Sequence, residues 1–276
     1  MLQFKSKFSK FLSLAILLCV NSAYAKVIIW DLGDTLLKAD HLALAGQIGI
    51  GNLLMQTLVD WKNPMQIGDQ IFDILNIIEQ NNTRQFVPKY KDKQLPESIC
   101  KWLEGRKSGV QIYKDIKNFI AKNPDDKIFS SSRNKKVVKN SAKAIFTPRK
   151  LAKNMKPIKS AVRLLEKCVK NNHKIILFSN FDTHTFSHIK KLKRNRRIFK
   201  NIRPENIMIS GNTGLLKPDP KAFQLLIDKY KLDPKECYFV DDQINNVETA
   251  RKLGMNGIVF ESSRKLSRDL KACNII

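Results

Sequence analysis

Acidic residues are scarce in this 276-residue chain, where 25 Asp and Glu stand against 50 Lys and Arg, a formal net charge of +25 at pH 7. Histidine and cysteine are also few, with four and five copies, and no two cysteines have the CxxC spacing that is typical of a structural zinc site. The 11 Gly and 10 Pro follow no period, and no repeat of solenoid length is present, which excludes fibrous and solenoid proteins. Hydrophobic residues nevertheless make up 43 % of the chain, which excludes wholesale disorder.

Long apolar runs are lacking beyond the start of the chain. There, three lysines within residues 1–10 precede an apolar run from Phe11 to Val20, and the small residues Ala23 and Ala25 follow. This layout is typical of a secretory signal peptide that is cleaved after Ala25. The run has about half of the roughly 20 residues that a membrane span needs. We therefore expect an exported protein, periplasmic or secreted, with no membrane span after cleavage; an uncleaved anchor is the alternative.

Cysteines beyond this leader leave two alternatives open. Export to an oxidising compartment permits one or two disulfides, but the spacing does not determine their pairing. Buried free thiols, which behave as small hydrophobic side chains, are the other interpretation. The four residues concerned are Cys100, Cys168, Cys237 and Cys273.

The basic excess is concentrated in two stretches that contain no acidic residue. Twelve basic residues lie between Lys127 and Leu165, and eight lie between Ser187 and Arg203. Such positive fields attract phosphates, nucleic acid or anionic membranes. Neither stretch has the interleaved aromatic side chains on which bases stack, so nucleic acid is a partner that the charge permits but does not favour. A solvated basic face is the simpler interpretation.

Short β-branched runs alternate with helical patterns in most of the chain. This alternation predicts an α/β fold, a doubly wound parallel sheet with helices on both faces. The strands are predicted at residues 26–30, 174–178, 206–209, 237–240 and 257–260, and the helices at 159–171, 184–192, 220–231, 245–253 and 263–272.

The strand pattern pauses for a long interval after the first strand. Residues 41–154 show mostly helical spacing with proline breaks, which predicts a mainly helical module inserted into the α/β core. We therefore predict a leader at 1–25, a core formed by 26–40 together with 155–276, and a helical insert at 41–154. Residues 148–157 are interpreted as the linker that returns to the core.

Polar side chains follow the predicted strands at the edge where such sheets bind ligands. Asp31 follows the first strand, Ser179 the second, and Asp241 and Asp242 the fourth, while Lys217 lies in a glycine-bearing loop before a helix. A carboxylate, a hydroxyl, an ammonium and a carboxylate pair at one place are what an aspartyl nucleophile, a phosphate and a divalent cation need.

These segments resemble the haloacid dehalogenase-like hydrolase superfamily, in particular its IA-type subfamily. The matching pieces, in chain order, are VIIWDLGDTLL at 27–37, IILFSN at 175–180, GLLKPDPKAF at 214–223 and CYFVDDQINNVETARKLGMNGIVF at 237–260. The last piece is similar to the subgroup that includes sugar-phosphate phosphatases. The helical insert sits where that superfamily places a helical cap.

The resemblance implies a role for each residue of the phosphate site. Asp31 would attack phosphorus and become an aspartyl phosphate. Ser179, together with the backbone at Leu32 and Asn180, would hold the phosphate oxygens, and Lys217 would neutralise the phosphate and the carboxylates.

A magnesium site is implied at the same place. Its ligands would be Asp31, the backbone carbonyl of Gly33, and Asp242 with Asp241 beside it, since Mg²⁺ binds oxygen ligands. A helix N-cap is the structural alternative for one of the two adjacent aspartates.

Gly33 departs from the pattern of the superfamily. Its phosphatases usually carry a second Asp two residues after the nucleophile, which protonates the leaving alcohol and then activates water. Together with the predicted leader, the resemblance implies an exported, Mg²⁺-dependent phosphatase of a small phosphomonoester. Without the second Asp, this enzyme either works slowly or uses another proton donor, for example one from the helical insert.

Two other functions stay open. A nearly inactive or non-enzymatic member would bind anions, nucleic acid or a partner through its basic surface. A 2-haloacid dehalogenase would need neither metal nor proton donor, although the pair Asp241-Asp242 argues against it, because adjacent carboxylates favour a cation between them. The substrate and the oligomeric state do not follow from the sequence.

Smaller signals have structural explanations. His184 and His188 have the i,i+4 spacing that could bind a metal, but no third ligand is near in sequence, which favours a solvated helix face. Asp219 stands where the N-cap of the following helix is expected, and Asp182 either caps the helix that follows it or, with Asn180, lines the site.

Overall fold

A computed structural model describes residues 26–49, 67–79, 84–90, 93–123 and 127–276 of the chain. The leader predicted at 1–25 lies outside these residues. No helix within them is long and apolar enough to cross a membrane. The strands are β1 (Val27–Trp30), β2 (Leu37–Ala39), β3 (Lys89–Tyr90), β4 (Lys93–Gln94), β5 (Met155–Pro157), β6 (Lys174–Ser179), β7 (Ile207–Ile209), β8 (Cys237–Asp241) and β9 (Asn256–Val259). The helices are α1 (His41–Ile48), α2 (Ile67–Glu79), α3 (Glu97–Leu103), α4 (Gly109–Lys122), α5 (Ser132–Phe146), α6 (Pro148–Lys153), α7 (Lys159–Lys170), α8 (Thr183–Lys191), α9 (Arg196–Phe199), α10 (Ser210–Thr213), α11 (Pro220–Tyr230), α12 (Ile244–Lys252) and α13 (Ser263–Ala272).

Five strands form one parallel sheet in the order β7-β6-β1-β8-β9. β1 is central and pairs with β6 on one side and with β8 on the other. Its side chains alternate between the two faces, since Ile28 and Trp30 belong to one hydrophobic cluster and Ile29 to another. All three are fully buried, which explains why β1 is a continuous apolar run.

Helices cover both faces of this sheet, which confirms the predicted α/β fold. Buried residues of α7, α8 and α13 pack in the cluster that contains Trp30. Buried residues of α11 and α12 pack in the cluster that contains Ile29. The carboxyl ends of β1, β6 and β8 therefore lie side by side at one edge of the sheet.

Helices α1 to α5 have a hydrophobic cluster of their own, centred on residues such as Ile74, Ile112 and Val138. The chain leaves the core through β2 and returns through β5, and these two strands pair antiparallel with Leu37 opposite Pro157. The segment 148–157, predicted as the return linker, forms the helix α6 and the strand β5. Pro148 occupies the first helical position of α6, where proline is favoured. The domain boundaries themselves stay a prediction.

The four cysteines of the described residues are free thiols. Three of them are buried, and Cys273 is half-buried. This arrangement corresponds to the alternative of thiols that pack as small hydrophobic side chains.

Candidate active site

Asp31 is the first residue after β1, and its side chain is buried, with 6 % exposed. Its Oδ1 accepts hydrogen bonds from the Ser179 hydroxyl (2.8 Å) and from the Lys217 ammonium (2.7 Å). Ser179 ends the neighbouring strand β6, so the order of the strands brings the hydroxyl to the carboxylate. No hydrogen bond from the described residues reaches Asp31 Oδ2.

Lys217 is almost completely buried, with 1 % exposed, which is rare for an ammonium group. Its Nζ donates to Asp31 Oδ1, to Asp241 Oδ2 (2.6 Å) and to the backbone carbonyl of Phe178 (2.8 Å). These acceptors match the three N–H bonds of the ammonium. Burial acts to lower the pKa of Lys217, but the carboxylates of Asp241 and Asp31 raise it above its ordinary value. Lys217 is therefore a fixed positive charge beside Asp31.

Asp241, the last residue of β8, is fully buried, and both of its carboxylate oxygens are hydrogen-bonded. Oδ2 accepts from Lys217, while Oδ1 accepts from the backbone N–H of Gln243 (2.8 Å) and the side-chain amide of Asn246 (3.0 Å). The N-cap of α12 is Gln243, without a side-chain cap hydrogen bond, so neither aspartate is the helix N-cap that was considered as an alternative. These contacts fix the orientation of Asp241 toward Lys217.

Asp242 lies among like charges. Burial, followed by the charges of Asp31 and Asp241, raises the pKa of Asp242 to about 7. Asp34 acts in the same direction, and the Gln243 side chain, which donates a hydrogen bond of 2.5 Å, acts against it. Burial likewise raises the pKa of Asp31 to about 6, although Lys217 acts to lower it. Such crowding of carboxylates costs free energy that a cation would offset.

The donor set fits a hard divalent cation. The negative charge of Asp31 helps to raise the pKa of Asp242, so the two carboxylates lie close enough to repel each other, and a Cβ built on Gly33 would lie 4.0 Å from Asp31 Oδ2. No group of three or more His, Cys, Asp or Glu side chains that could hold a metal occurs in the described residues. Mg²⁺ needs fewer, because it keeps several waters and is usually bound by one or two carboxylates together with substrate phosphate.

Leu32 and Asn180 shape the site around the charged groups. Leu32 is fully buried, and its carbonyl accepts the backbone N–H of Leu37 (2.8 Å), which turns the chain directly after Asp31. The Asn180 side chain donates to the Lys217 carbonyl (2.8 Å) and accepts from the Lys217 N–H (3.0 Å). Asn180 therefore ties the lysine loop to the end of β6, in addition to the backbone role that the resemblance implies.

Several functional contacts were missed in the sequence. The backbone carbonyl of Phe178 carries no sequence signal. Asn246 lies in the segment 237–260 that resembles the superfamily, but the sequence assigns it no role. The predicted caps, by contrast, are confirmed, since Asp182 accepts from the Thr185 N–H (2.9 Å) and Asp219 caps α11 in the same way. His184 and His188 lie exposed on α8.

A family model described as haloacid dehalogenase-like hydrolase matches residues 25–254. Because this range covers most of the chain, the chain belongs to the haloacid dehalogenase-like hydrolases.

Curated relatives match over shorter segments. Flavin mononucleotide hydrolase 1 from Arabidopsis thaliana is 29 % identical over 105 residues, which are 35 % of this chain and 40 % of the relative. Bifunctional epoxide hydrolase 2 from Mus musculus is 34 % identical over 62 residues, which are 22 % of this chain and 11 % of that protein. The chain thus spans about two fifths or less of the length of these curated relatives.

Solved structures match over most of the chain. A haloacid dehalogenase family enzyme from Bacteroides thetaiotaomicron, crystallised with magnesium and inorganic phosphate, has a TM-score of 0.54 at 15 % identity. The match covers 87 % of this chain and 98 % of that enzyme. A predicted HAD-like family hydrolase from Porphyromonas gingivalis has a TM-score of 0.52 at 16 % identity, with 90 % and 98 % covered. At these identities the likeness shows the fold.

Proposed function

We propose that the protein is a Mg²⁺-dependent phosphatase that hydrolyses a small phosphomonoester through an aspartyl phosphate on Asp31. One observation carries the proposal. The Asp31 carboxylate accepts hydrogen bonds from the Ser179 hydroxyl and the Lys217 ammonium, and its negative charge helps to raise the pKa of the nearby Asp242. Such an arrangement offers a nucleophile, a hydroxyl and a cation that can bind phosphate, and a second carboxylate that can hold a metal.

In the first step, the Asp31 carboxylate forms a bond to phosphorus, and the bond from phosphorus to the ester oxygen breaks. Lys217 and Ser179 hold Asp31 in position and then face the charge on the phosphoryl oxygens. The leaving alkoxide takes its proton from solvent water, because Gly33 has no acidic side chain to supply it. A water molecule then attacks the phosphorus of the aspartyl phosphate and gives up a proton to solvent, and the bond from phosphorus to the Asp31 oxygen breaks, which releases inorganic phosphate and restores the carboxylate. Mg²⁺, held by Asp31, Asp242 and the Gly33 carbonyl, would neutralise negative charge on the phosphoryl group when bound.

Asp241 has a different role from Asp242 in this proposal. Its oxygens are occupied by Lys217, Asn246 and the Gln243 N–H, so it orients the lysine, and Asp242 supplies the metal ligand. A phosphorylated substrate is supported by the phosphate in the structural neighbour and by the name of the A. thaliana relative, which acts on flavin mononucleotide. A sugar phosphate or a related organic phosphate is the substrate class we propose.

The test is release of phosphate from an aryl phosphate and from a panel of phosphomonoesters, with Mg²⁺ and with EDTA. Asp31→Asn should abolish turnover, because an amide cannot form the covalent intermediate, and EDTA should abolish it in the unchanged protein. Asp73→Asn, which alters an exposed carboxylate on α2, is the matched control and should keep full activity. Turnover that survives Asp31→Asn or ignores EDTA would reject this mechanism.

We also propose that the protein is exported. The basic and apolar composition of residues 1–25 supports this proposal. N-terminal sequencing of the protein purified from its native host should begin at Lys26, and an N-terminus that retains residues 1–25 would contradict it.

A further inference from the structure

The basic residues of the chain are distributed unevenly. Residues 148–165 and 183–203 together contain fourteen Lys and Arg and no Asp or Glu. Residues 204–248, by contrast, contain five basic and eight acidic residues. A general enrichment in lysine would add positive charge to both parts of the chain, so it does not account for this asymmetry. The positive charge is a property of particular elements of the fold.

The fold joins the two acid-free segments into one surface. α6 packs against α8, and the short 3-10 turn Lys193–Asn195 that follows α8 contacts β5. α9 begins directly after this turn. The Arg194 guanidinium donates to two backbone carbonyls at the end of α6, which ties the second segment to the first. We call the exposed face of α6, α8, this turn and α9 the basic surface.

Acidic neighbours neutralise only part of the charge on the basic surface. Asp40 is already paired with Lys156, and Glu166 with Arg197 and Lys200. Several exposed side chains form no ion pair with the residues that the structure describes, among them those of Lys153, Lys190, Lys191, Lys193 and Arg196. Like charges held close together repel one another and oppose the compact state. A bound polyanion would offset this repulsion.

The aromatic side chains beside the basic surface are not available for stacking on bases. Phe186 is buried, and its ring meets that of the half-buried Phe199 edge to face, with 5.8 Å between the ring centroids. Binding of a single strand uses such stacking, whereas a duplex can be held through its phosphates alone. Among nucleic acids, a duplex therefore fits the basic surface better than a single strand.

An anionic membrane is the competing polyanion. Helices that lie on membranes insert apolar side chains next to their basic ones. The large apolar side chains that are exposed in the described part of the chain lie outside the basic surface; they are Leu42, Ile77, Phe86, Val110, Leu225 and Ile244. A duplex needs no apolar anchor, because it presents one negative charge per about 1.7 Å of its axis. The observations therefore favour a duplex over a membrane.

We propose that the basic surface binds the phosphate backbone of a double-stranded nucleic acid without reading its bases. This inference does not depend on the proposed function, since the residues of the basic surface take no part in the site around Asp31. Binding through phosphates alone releases counterions, so its affinity falls steeply with salt and is independent of sequence.

The test measures binding of the whole protein to a fluorescent DNA duplex of mixed sequence by anisotropy, at several salt concentrations. A combined change of four lysines to Gln should weaken binding at least about tenfold at low salt, because it removes phosphate contacts. It should also make the salt dependence shallower, since each lost contact removes about 0.9 from the slope of log K against log salt. The four residues are Lys153, Lys190, Lys191 and Lys193. A duplex of a different sequence should bind the original protein with nearly the same affinity.

The matched control removes the same charge elsewhere. It changes to Gln four exposed lysines that lie on helices α4, α11, α12 and α13 and form no ion pair with the described residues, and it should weaken binding far less. These residues are Lys114, Lys221, Lys252 and Lys271. Thermal unfolding checks that both variants fold. Equal weakening in the two variants would show that only net charge acts, and unchanged affinity in the first variant would overturn the proposal.

Two further measurements separate the proposal from its alternatives. Sedimentation with phosphatidylglycerol vesicles tests the membrane: if vesicles bind more tightly than the duplex at equal phosphate concentration, and the first variant loses this binding, the proposal is wrong. Asp31→Asn should bind the duplex as the original protein does, whereas loss of binding would place the duplex at the candidate active site and contradict the proposal. The phosphate-release test of the proposed function is decided separately, because it requires turnover and this one does not.

Discussion

At the scale of single residues, Gly33 lies where a side chain would face the nucleophile. A Cβ built there would be 3.8 Å from the Phe181 ring and 4.0 Å from Asp31 Oδ2, both ordinary contact distances. The position therefore has room for a Cβ. Since a general acid contributes typically 10²–10⁴-fold, we expect Gly33→Asp to raise kcat for an alkyl phosphate by at least about 10²-fold. The kcat for an aryl phosphate should rise less, because a phenolate leaves more readily than an alkoxide without being protonated.

Gly33→Asn is the control for this substitution. It has nearly the shape of the aspartate but cannot give up a carboxyl proton, so kcat should stay near the original value. An equal gain in both variants would show that the effect comes from packing, and no gain in Gly33→Asp would show that the leaving group already receives its proton from another donor.

Asp242 predicts how magnesium binding depends on pH. In the metal-free protein its pKa is raised to about 7, and a metal binds the ionised carboxylate. Protons therefore compete with the metal below pH 7. We expect the Mg²⁺ concentration for half-maximal binding, measured by calorimetry, to rise as the pH falls from 8 to 6, with proton release on binding near pH 6.

Asp242→Asn should weaken Mg²⁺ binding at every pH and remove much of this pH dependence, while Asp73→Asn should behave as the original protein does. Affinity that is constant between pH 6 and 8 would contradict the assignment of Asp242 as a ligand.

The contact between Asp31 and Ser179 is predictable from the sequence, because both residues stand at the carboxyl ends of parallel strands, and these ends meet at one edge of the sheet. Asp31 and Ser179 come directly after apolar runs, so their meeting is set by strand order. The bonds of Asn180 to the Lys217 loop depend on the loop geometry, which has no period in the sequence. The different contacts of Asp241 and Asp242 also have no sequence signal, because they depend on the loop geometry that brings the Lys217 ammonium to Asp241.

At the scale of elements, the five strands of the sheet lie within two residues of their predicted bounds. The central strands β1, β6 and β8 are buried on both faces and therefore form continuous apolar runs in the sequence. β2 and β5 were missed, since strands of three residues are too short to show alternation. Within 148–157, Pro148 is compatible both with a break between elements and with the first position of a helix, so the sequence alone does not predict α6. Pro148 in fact starts α6, a position where its missing N–H costs nothing.

Gly211 shows where two elements of the core meet without room for a side chain. A Cβ there would lie 2.7 Å from the backbone nitrogen of Thr183 and 2.8 Å from the Phe181 carbonyl oxygen. Because backbone atoms cannot move aside cheaply, Gly211→Ala should lower the free energy of unfolding by about 1–3 kcal/mol, measured by urea denaturation.

The control is Gly46→Ala in α1, where a Cβ meets no atom of the described residues within 4 Å. Alanine in a helix interior should raise the free energy of unfolding by up to about 1 kcal/mol. Equal effects of the two substitutions would contradict the close approach of α10 and α8.

At the scale of the whole molecule, the two acid-free basic stretches meet on one surface. α6, from the first stretch, packs against α8, where the second begins. Arg194 donates to the backbone carbonyls of Ala152 (3.0 Å) and Lys153 (2.8 Å), which fixes this contact. Positive charge from both stretches is therefore brought together on one surface, and we expect it to attract anionic substrates over a distance set by the ionic strength.

This field predicts a salt dependence of the reaction. Screening shortens the range of the attraction from about 10 Å at 0.1 M salt to about 3 Å at 1 M, so kcat/KM for a phosphomonoester should fall several-fold between about 0.02 and 0.5 M NaCl, with kcat nearly unchanged. The fall should be steeper for a bisphosphate, which carries more charge. A variant with Lys150, Lys153 and Lys191 changed to Gln should show a shallower fall and the same kcat. If salt lowers kcat/KM equally for both substrates, or if the variant shows the same salt dependence as the original protein, the basic surface does not attract the substrate to the site.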